Sequence, residues 1–236
     1  MCTSIGEDQM HGGENGPRDR PIIRFDDRPT TPISIDGRSA RAERTRQAVI
    51  DAHIALIRDG ELKPTGAQIA ERARVSLRSL WGHFGDLETL FSATGAELMR
   101  RQDDAHEPVD PSLPLAERID RYCRQRAEAL EYIAPFSRSA EVRAPFSEEL
   151  QRNRHGYLER AEIEVRMLFA REFSRADDTA RVQIVQAVAI ASTWPTWVSL
   201  RDVVGLSVPD STEVMKRMIS ALVESVISQS AQPLGV

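Results

Sequence analysis

The stretch from Thr65 to Phe84, TGAQIAERARVSLRSLWGHF, constrains the fold of this chain more than any other. Thr65 and Gln68 have the spacing of a capping box. The hydroxyl accepts from the third helical N–H, and the amide reaches back to the cap. Ile69, Ala70 and Ala73 then share one small, aliphatic face on which a second helix can lie closely. Ser76 supplies another N-cap oxygen only a few residues on. Leu77, Leu80 and Trp81 follow at helical spacing, and Gly82 loosens the end. The spacing predicts helices over about 65–72 and 76–82 with a tight turn between them.

Two short capped helices joined in this way form the pattern of a helix-turn-helix, whose second helix enters the DNA major groove. Residues 44–90 resemble the DNA-binding domain of TetR-family transcriptional regulators. The matching residues are Arg46, Val49-Ile50-Asp51-Ala52, Gly60, Thr65, Ile69-Ala70, Ala73, Val75-Ser76, Leu80, His83-Phe84 and Leu90. Four positions depart from the family pattern. Arg74 stands where the turn has glycine, His53 where a small residue is usual, Trp81 for tyrosine and Leu87 for a phosphate-binding lysine. The resemblance implies an all-α fold. A three-helix helix-turn-helix head is joined by a linking helix to a C-terminal helical bundle, about nine helices in all. It also implies a homodimer through the last two helices and a small-molecule effector bound in the bundle.

Charge is distributed unevenly. The chain of 236 residues carries a net −5, yet residues 38–101 hold 11 basic and 8 acidic residues. Residues 1–37 hold 4 basic and 7 acidic ones, and residues 102–236 hold 16 and 21. A basic segment on an acidic body suits contact with nucleic acid. The division is read as an N-terminal arm over 1–37, expected to be disordered, a helix-turn-helix domain over 38–85 and an effector-binding and dimerisation domain over 86–236. Arg38, Arg41, Arg44 and Arg46 follow the arm and are placed to reach phosphate or the minor groove.

A first helix is expected from about 39 to 58, stopped by Gly60. A fourth begins after Asp86, a good N-cap, and runs to about 105. Three prolines within 106–114 mark a boundary. A fifth helix then spans about 115–133, ended by Pro135, with a shorter one over 136–143. Pro145 opens a helix to about 173. The next runs over 177–203, kinked at Pro195. It is apolar on nearly every side from Val182 to Ala191, which predicts a covering partner chain. The last helix covers about 210–229, with Val214, Met215, Met218, Ile219, Leu222, Val223, Val226 and Ile227 on a broad apolar surface.

The DNA-contact candidates are Arg44, Arg46, Thr65, Gln68, Ser76, Leu77, Arg78, Ser79, Trp81 and His83. Arg78 can take guanine O6 and N7 with its planar fork, and Leu77 can meet a thymine methyl. Trp81 and His83 position the helix on the backbone rather than specify bases; Phe84 is core, and Trp81 is divided evenly between core and contact. By resemblance, the effector candidates are the large side chains Tyr122, Phe136, Phe146, Tyr157, Phe169 and Trp194. Arg126 joins them, since it falls among the apolar positions of its helix and offers a counter-charge to an anionic effector.

Other classes find little support. A di-iron bundle enzyme needs Glu-x-x-His pairs on two helices, and only Asp103 and His106 approach that spacing. No nucleophile motif, phosphate loop, zinc spacing or cofactor motif is present. No apolar run is long enough to cross a membrane. The acidic, polar N-terminus is no secretory signal, and Cys2 and Cys123 form no disulfide framework, so a cytoplasmic protein is expected. A helical dimeric adaptor or ligand-binding protein that keeps the head without binding DNA is the alternative.

Overall fold

A computed structural model describes residues 35–143 and 148–229. The fold is all-α, with no strand among the described residues. The helices are α1 (Ile35–Arg58), α2 (Gly66–Ala73), α3 (Leu77–Phe84), α4 (Leu87–Ala105), α5 (Leu115–Arg143), α6 (Glu148–Leu168), α7 (Ala170–Phe173), α8 (Asp178–Ala191), α9 (Trp194–Val198) and α10 (Val208–Gln229). A π-helical turn over Ser199–Val203 continues α9. Most of the arm, 1–34, lies outside the described residues, as do Pro145 and the effector candidate Phe146.

Local chemistry sets the ends of the first four helices. Gly60, at φ 96°, closes α1, and the Glu61 N–H bonds back to the Leu56 carbonyl at 3.0 Å. Asp86 caps α4 through Oδ1, which accepts from the Thr89 N–H at 2.7 Å. That bond holds the Asp86 carboxyl below its ordinary pKa.

The expected ends of the later helices need correction. Pro135 does not end α5, which runs through it to Arg143. Pro195 does not kink a helix. It sits in the first turn of a separate α9, where its missing N–H is no loss. The expected helix to 173 stops at Leu168, and α7 follows as its own short element. In the last two cases a distant arginine takes the carbonyl at the break. Arg118 donates to the Leu168 carbonyl at 2.6 Å, and Arg126 donates to the Ser192 carbonyl at 2.9 and 3.1 Å.

Two apolar cores result. The N-terminal one gathers Val49, Ile50, Ile69, Leu80 and Phe84 with Leu90 and Leu98 of α4. Each such side chain, fully buried, contributes roughly 1.5–3 kcal/mol. The larger one is built from α5 to α10 around Tyr122, Phe169, Val188, Trp197 and Ile219. Between them Phe136 of α5 stacks on Phe91 of α4 at 4.5 Å. Ser139, also on α5, donates to the Leu62 carbonyl in the α1–α2 loop at 2.6 Å. The N-terminal helices are therefore held by α5 as well as by α4, where a single linking helix was expected.

α1 and α4 meet through a polar seam. His53 is fully buried, with Nδ1 2.8 Å from the Thr94 hydroxyl. That hydroxyl gives its own proton to the Leu90 carbonyl at 2.8 Å, so the shared proton is carried by His53 Nδ1. Next to them Glu97, 9% exposed, accepts from Arg100 at 2.9 Å and from Arg101 at 2.7 Å, while Arg101 also reaches Asp51 of α1. The Arg100 hydrogen bonds, with Arg101 beside them, pull the Glu97 carboxyl down to about 2. Its folded pKa lies below the ordinary value. The stabilisation is therefore complete above roughly pH 4.5 and drains away as the pH falls toward about 2. Unfolding free energies from urea titrations at pH 6 and pH 3 are expected to differ less in Glu97→Gln than in the parent, by on the order of 2 kcal/mol.

Candidate nucleic-acid interface

The geometry of α2 and α3 follows from their caps. Thr65 Oγ1 accepts from the Gln68 N–H at 3.3 Å, and Gln68 Oε1 accepts from the Thr65 N–H at 2.8 Å. The box expected from the spacing is closed. It engages Thr65 Oγ1 as well, which donates to Gln68 Oε1 at 2.8 Å. Ser76 Oγ accepts from the Ser79 N–H at 3.1 Å and starts α3. Between the helices Arg74 adopts the left-handed conformation at φ 57°, which glycine takes without strain and arginine at about 1–2 kcal/mol. The Val75 N–H then bonds the Ala70 carbonyl at 3.0 Å, and the turn closes without the glycine.

α3 is anchored on its inner side by Leu80 and Phe84, 0% and 3% exposed. On its outer side Leu77 is 46% exposed and Arg78 is exposed as well. The Arg78 side chain makes no hydrogen bond or ion pair among the described residues, and neither does the side chain of Arg74 in the turn before it. Among the described residues their charges have no partner to give up. Arg72, by contrast, is paired with Asp59 at 2.9 Å.

The remaining candidates are more engaged. Arg46 lies half-buried with its guanidinium 5.2 Å from the Phe84 ring, so it covers the core rather than reaching outward. Arg44 is exposed, and among the described residues its side chain bonds the Ala40 carbonyl of its own helix. Ser79 and His83 are half-buried, and His83 is tilted against Phe84. Trp81 packs against the N-terminal core, and its ring lies close against Gly66, the first residue of α2. A Cβ built on Gly66 falls 2.3 Å from the Trp81 ring. Sequence reasoning passed over Gly66, because nothing local ties it to a tryptophan fifteen positions away. Leu87, at the lysine position, packs against the same core.

The effector candidates do not converge on one place. Tyr122 and Phe169 are fully buried edge-to-face partners at 6.2 Å. Burial pushes the Tyr122 hydroxyl up to about 12, and it is 2.8 Å from Ser192 Oγ. Arg126 is not a free counter-charge, since its guanidinium closes the end of α8 at Ser192. Phe136 belongs to the contact with α4 instead. Trp194 donates to Glu141 at 2.7 Å under the Arg138 guanidinium. Tyr157 is half-buried on α6, and burial raises its hydroxyl to about 12.

Among the described residues no cluster of His, Cys, Asp or Glu is placed to hold a metal ion, and no helix is long and apolar enough to cross a membrane. No protein-family model matches the chain, and no curated protein sequence matches it.

Proposed function

We propose that this protein is a DNA-binding transcriptional regulator of the TetR type, a repressor that a small molecule releases from a palindromic operator. One observation carries the reading. The start of α3 stands exposed with Leu77 and Arg78 outward, the Arg78 side chain having no partner among the described residues, while Leu80 and Phe84 fix its inner face. A helix so capped and anchored, with an apolar contact beside a free planar guanidinium, suits the edge of a base pair in the major groove. In this reading α2 and α3 are the helix-turn-helix, and Thr65, Gln68 and Arg44 lie toward the phosphates.

The homodimer is assigned to α8 and α10. On α8, Val182 and Ile190 are 55% and 52% exposed, and no charged residue falls between Val182 and Thr193. Depletion of charge around exposed apolar residues is the mark of an interface core. Beside it, Val214, Met218 and Leu222 of α10 are half-buried one helical turn apart. Two-fold pairing would set two α3 helices about 34 Å apart, one turn of duplex. The effector and DNA would each lower the affinity of the other, as linkage requires.

The test is selection from a random duplex pool, in which a palindrome with half-sites one turn apart should be enriched. Arg78→Ala should then weaken binding to that duplex about ten- to a hundredfold, with an unchanged melting curve. A pool that yields no enriched duplex at low salt would leave the adaptor reading.

A further inference from the structure

The turn between α2 and α3 carries a charge that no other described residue engages. Arg74 is the C-cap of α2, at φ 57° and ψ 40°. It is the one non-glycine residue at positive φ among the described residues. Glycine would hold that conformation without strain, so the arginine side chain is kept at a cost to the turn. Its neighbours Ala73 and Val75 both pack against the N-terminal core. The Arg74 and Val75 N–H groups bond the carbonyls of Glu71 and Ala70, each at 3.0 Å. Arg74 therefore sits in a turn fixed on both sides, and it is exposed. The arginines near it in the N-terminal helices are engaged differently. Arg72 pairs with Asp59 at 2.9 Å, and Arg46 lies over the Phe84 ring.

We propose that Arg74 grips a DNA phosphate at the edge of the groove that α3 enters. The inference rests on the DNA-binding reading and adds a residue to that interface. In such a docking the first helix of the pair crosses the sugar–phosphate backbone, and the N-terminal residues of the second meet the bases. Arg74 stands where one helix gives way to the other, ahead of the Ser76 cap and of Leu77 and Arg78. It is therefore placed for the strand and not for the base edges. A guanidinium meets two phosphate oxygens with parallel N–H donors. A cation without an internal partner surrenders no ion pair on binding, and its charge is free to displace counterions from the duplex. The fixed turn presents it already in place, which lowers the ordering cost of the contact. A phosphate contact of this kind sets affinity and salt dependence and leaves sequence preference to Arg78.

The probes are the duplex enriched by selection and a scrambled duplex of equal length. Fluorescence anisotropy on the full chain, repeated over a range of salt concentrations, gives the slope of log affinity against log salt. Arg74→Gln keeps the left-handed turn and removes the charge. It should weaken binding to both duplexes alike, by about three- to tenfold for each protomer, and flatten the slope by roughly 0.9 for each protomer. Arg74→Lys should keep the parent slope. Arg74→Gly should flatten the slope as the glutamine does while raising the melting temperature, because the strain leaves with the side chain. An unchanged slope in Arg74→Gln, a loss confined to the selected duplex, or a lower melting temperature in Arg74→Gly would overturn the assignment. Parent protein that binds neither duplex at low salt would sink the DNA-binding reading as well. Parent binding with an unchanged slope in Arg74→Gln would remove the phosphate contact alone.

Discussion

Replacement of Arg118 by alanine is expected to lower unfolding stability by about 3–5 kcal/mol, the usual penalty for breaking a buried ion pair from one side. Arg118 is 3% exposed, and its guanidinium meets Glu172 twice, at 2.6 and 3.1 Å. It also donates to the carbonyls of Leu113 and Leu168, and it lies 5.7 Å from the centre of the Phe169 ring. Removing it leaves a carboxylate inside the protein without its hydrogen-bonded counter-charge. It also strips the Leu168 carbonyl of its donor where α6 breaks. The Arg118 hydrogen bond and charge win over burial and keep the Glu172 carboxyl below its ordinary pKa, so the pair is ionised at neutral pH. Urea unfolding followed by circular dichroism measures the loss. The double variant Arg118→Met with Glu172→Leu should recover most of it, because an apolar pair of similar volume carries no desolvation penalty. A midpoint for Arg118→Ala within error of the parent would show that the pair stabilises nothing.

Gly66→Ala should damage both the fold of the N-terminal helices and the proposed activity. The new methyl would sit 2.3 Å from the Trp81 ring, well inside contact distance. The ring has little freedom to retreat, since it packs against the core formed by Ile69, Leu80 and Phe84. α3 must therefore move away from α2, or the indole must leave its rotamer. Overpacking of this kind costs about 1–3 kcal/mol. In the DNA-binding reading the outer face of α3 shifts with the ring, and operator affinity should fall by more than about tenfold, as sub-ångström placement of base contacts governs that energy. The check is a double-mutant cycle. In a Trp81→Leu background the methyl has room, and the stability penalty of Gly66→Ala should largely disappear. An equal penalty in both backgrounds would place the strain elsewhere.

The DNA-contact candidates were separated by the same kind of tertiary detail. Arg46 and Arg78 are alike in sequence, as arginines near the surface of amphipathic helices. Arg46 folds back over Phe84, whereas the Arg78 side chain makes no ion pair or ring contact among the described residues. That distinction depends on where α1 crosses α3, which no local pattern encodes. Gly66 and Trp81 form a pair only because α2 and α3 pack together. The sequence reading divided Trp81 between core and contact, and the packing puts its ring against α2.

What the sequence determined by itself was everything governed by neighbours within one helical turn. The capping box at Thr65, the caps at Ser76 and Asp86, the stop at Gly60 and the apolar faces of α1 to α4 all rest on bonds between residues at most five apart. Helices 5 to 9 were bounded less well, because their ends are set by distant groups. Pro135 stays inside α5, where a proline costs about 3 kcal/mol, because buried residues on both sides of it are held by different parts of the protein, Ile133 by the larger core and Ser139 by the Leu62 carbonyl. α6 and α8 stop where Arg118 and Arg126, each at least 50 residues away, take the carbonyls of Leu168 and Ser192. An arginine that reads as a free charge in one dimension becomes a helix cap in three. A carbonyl accepts whichever donor the packing brings near, and only the tertiary structure decides which donor that is.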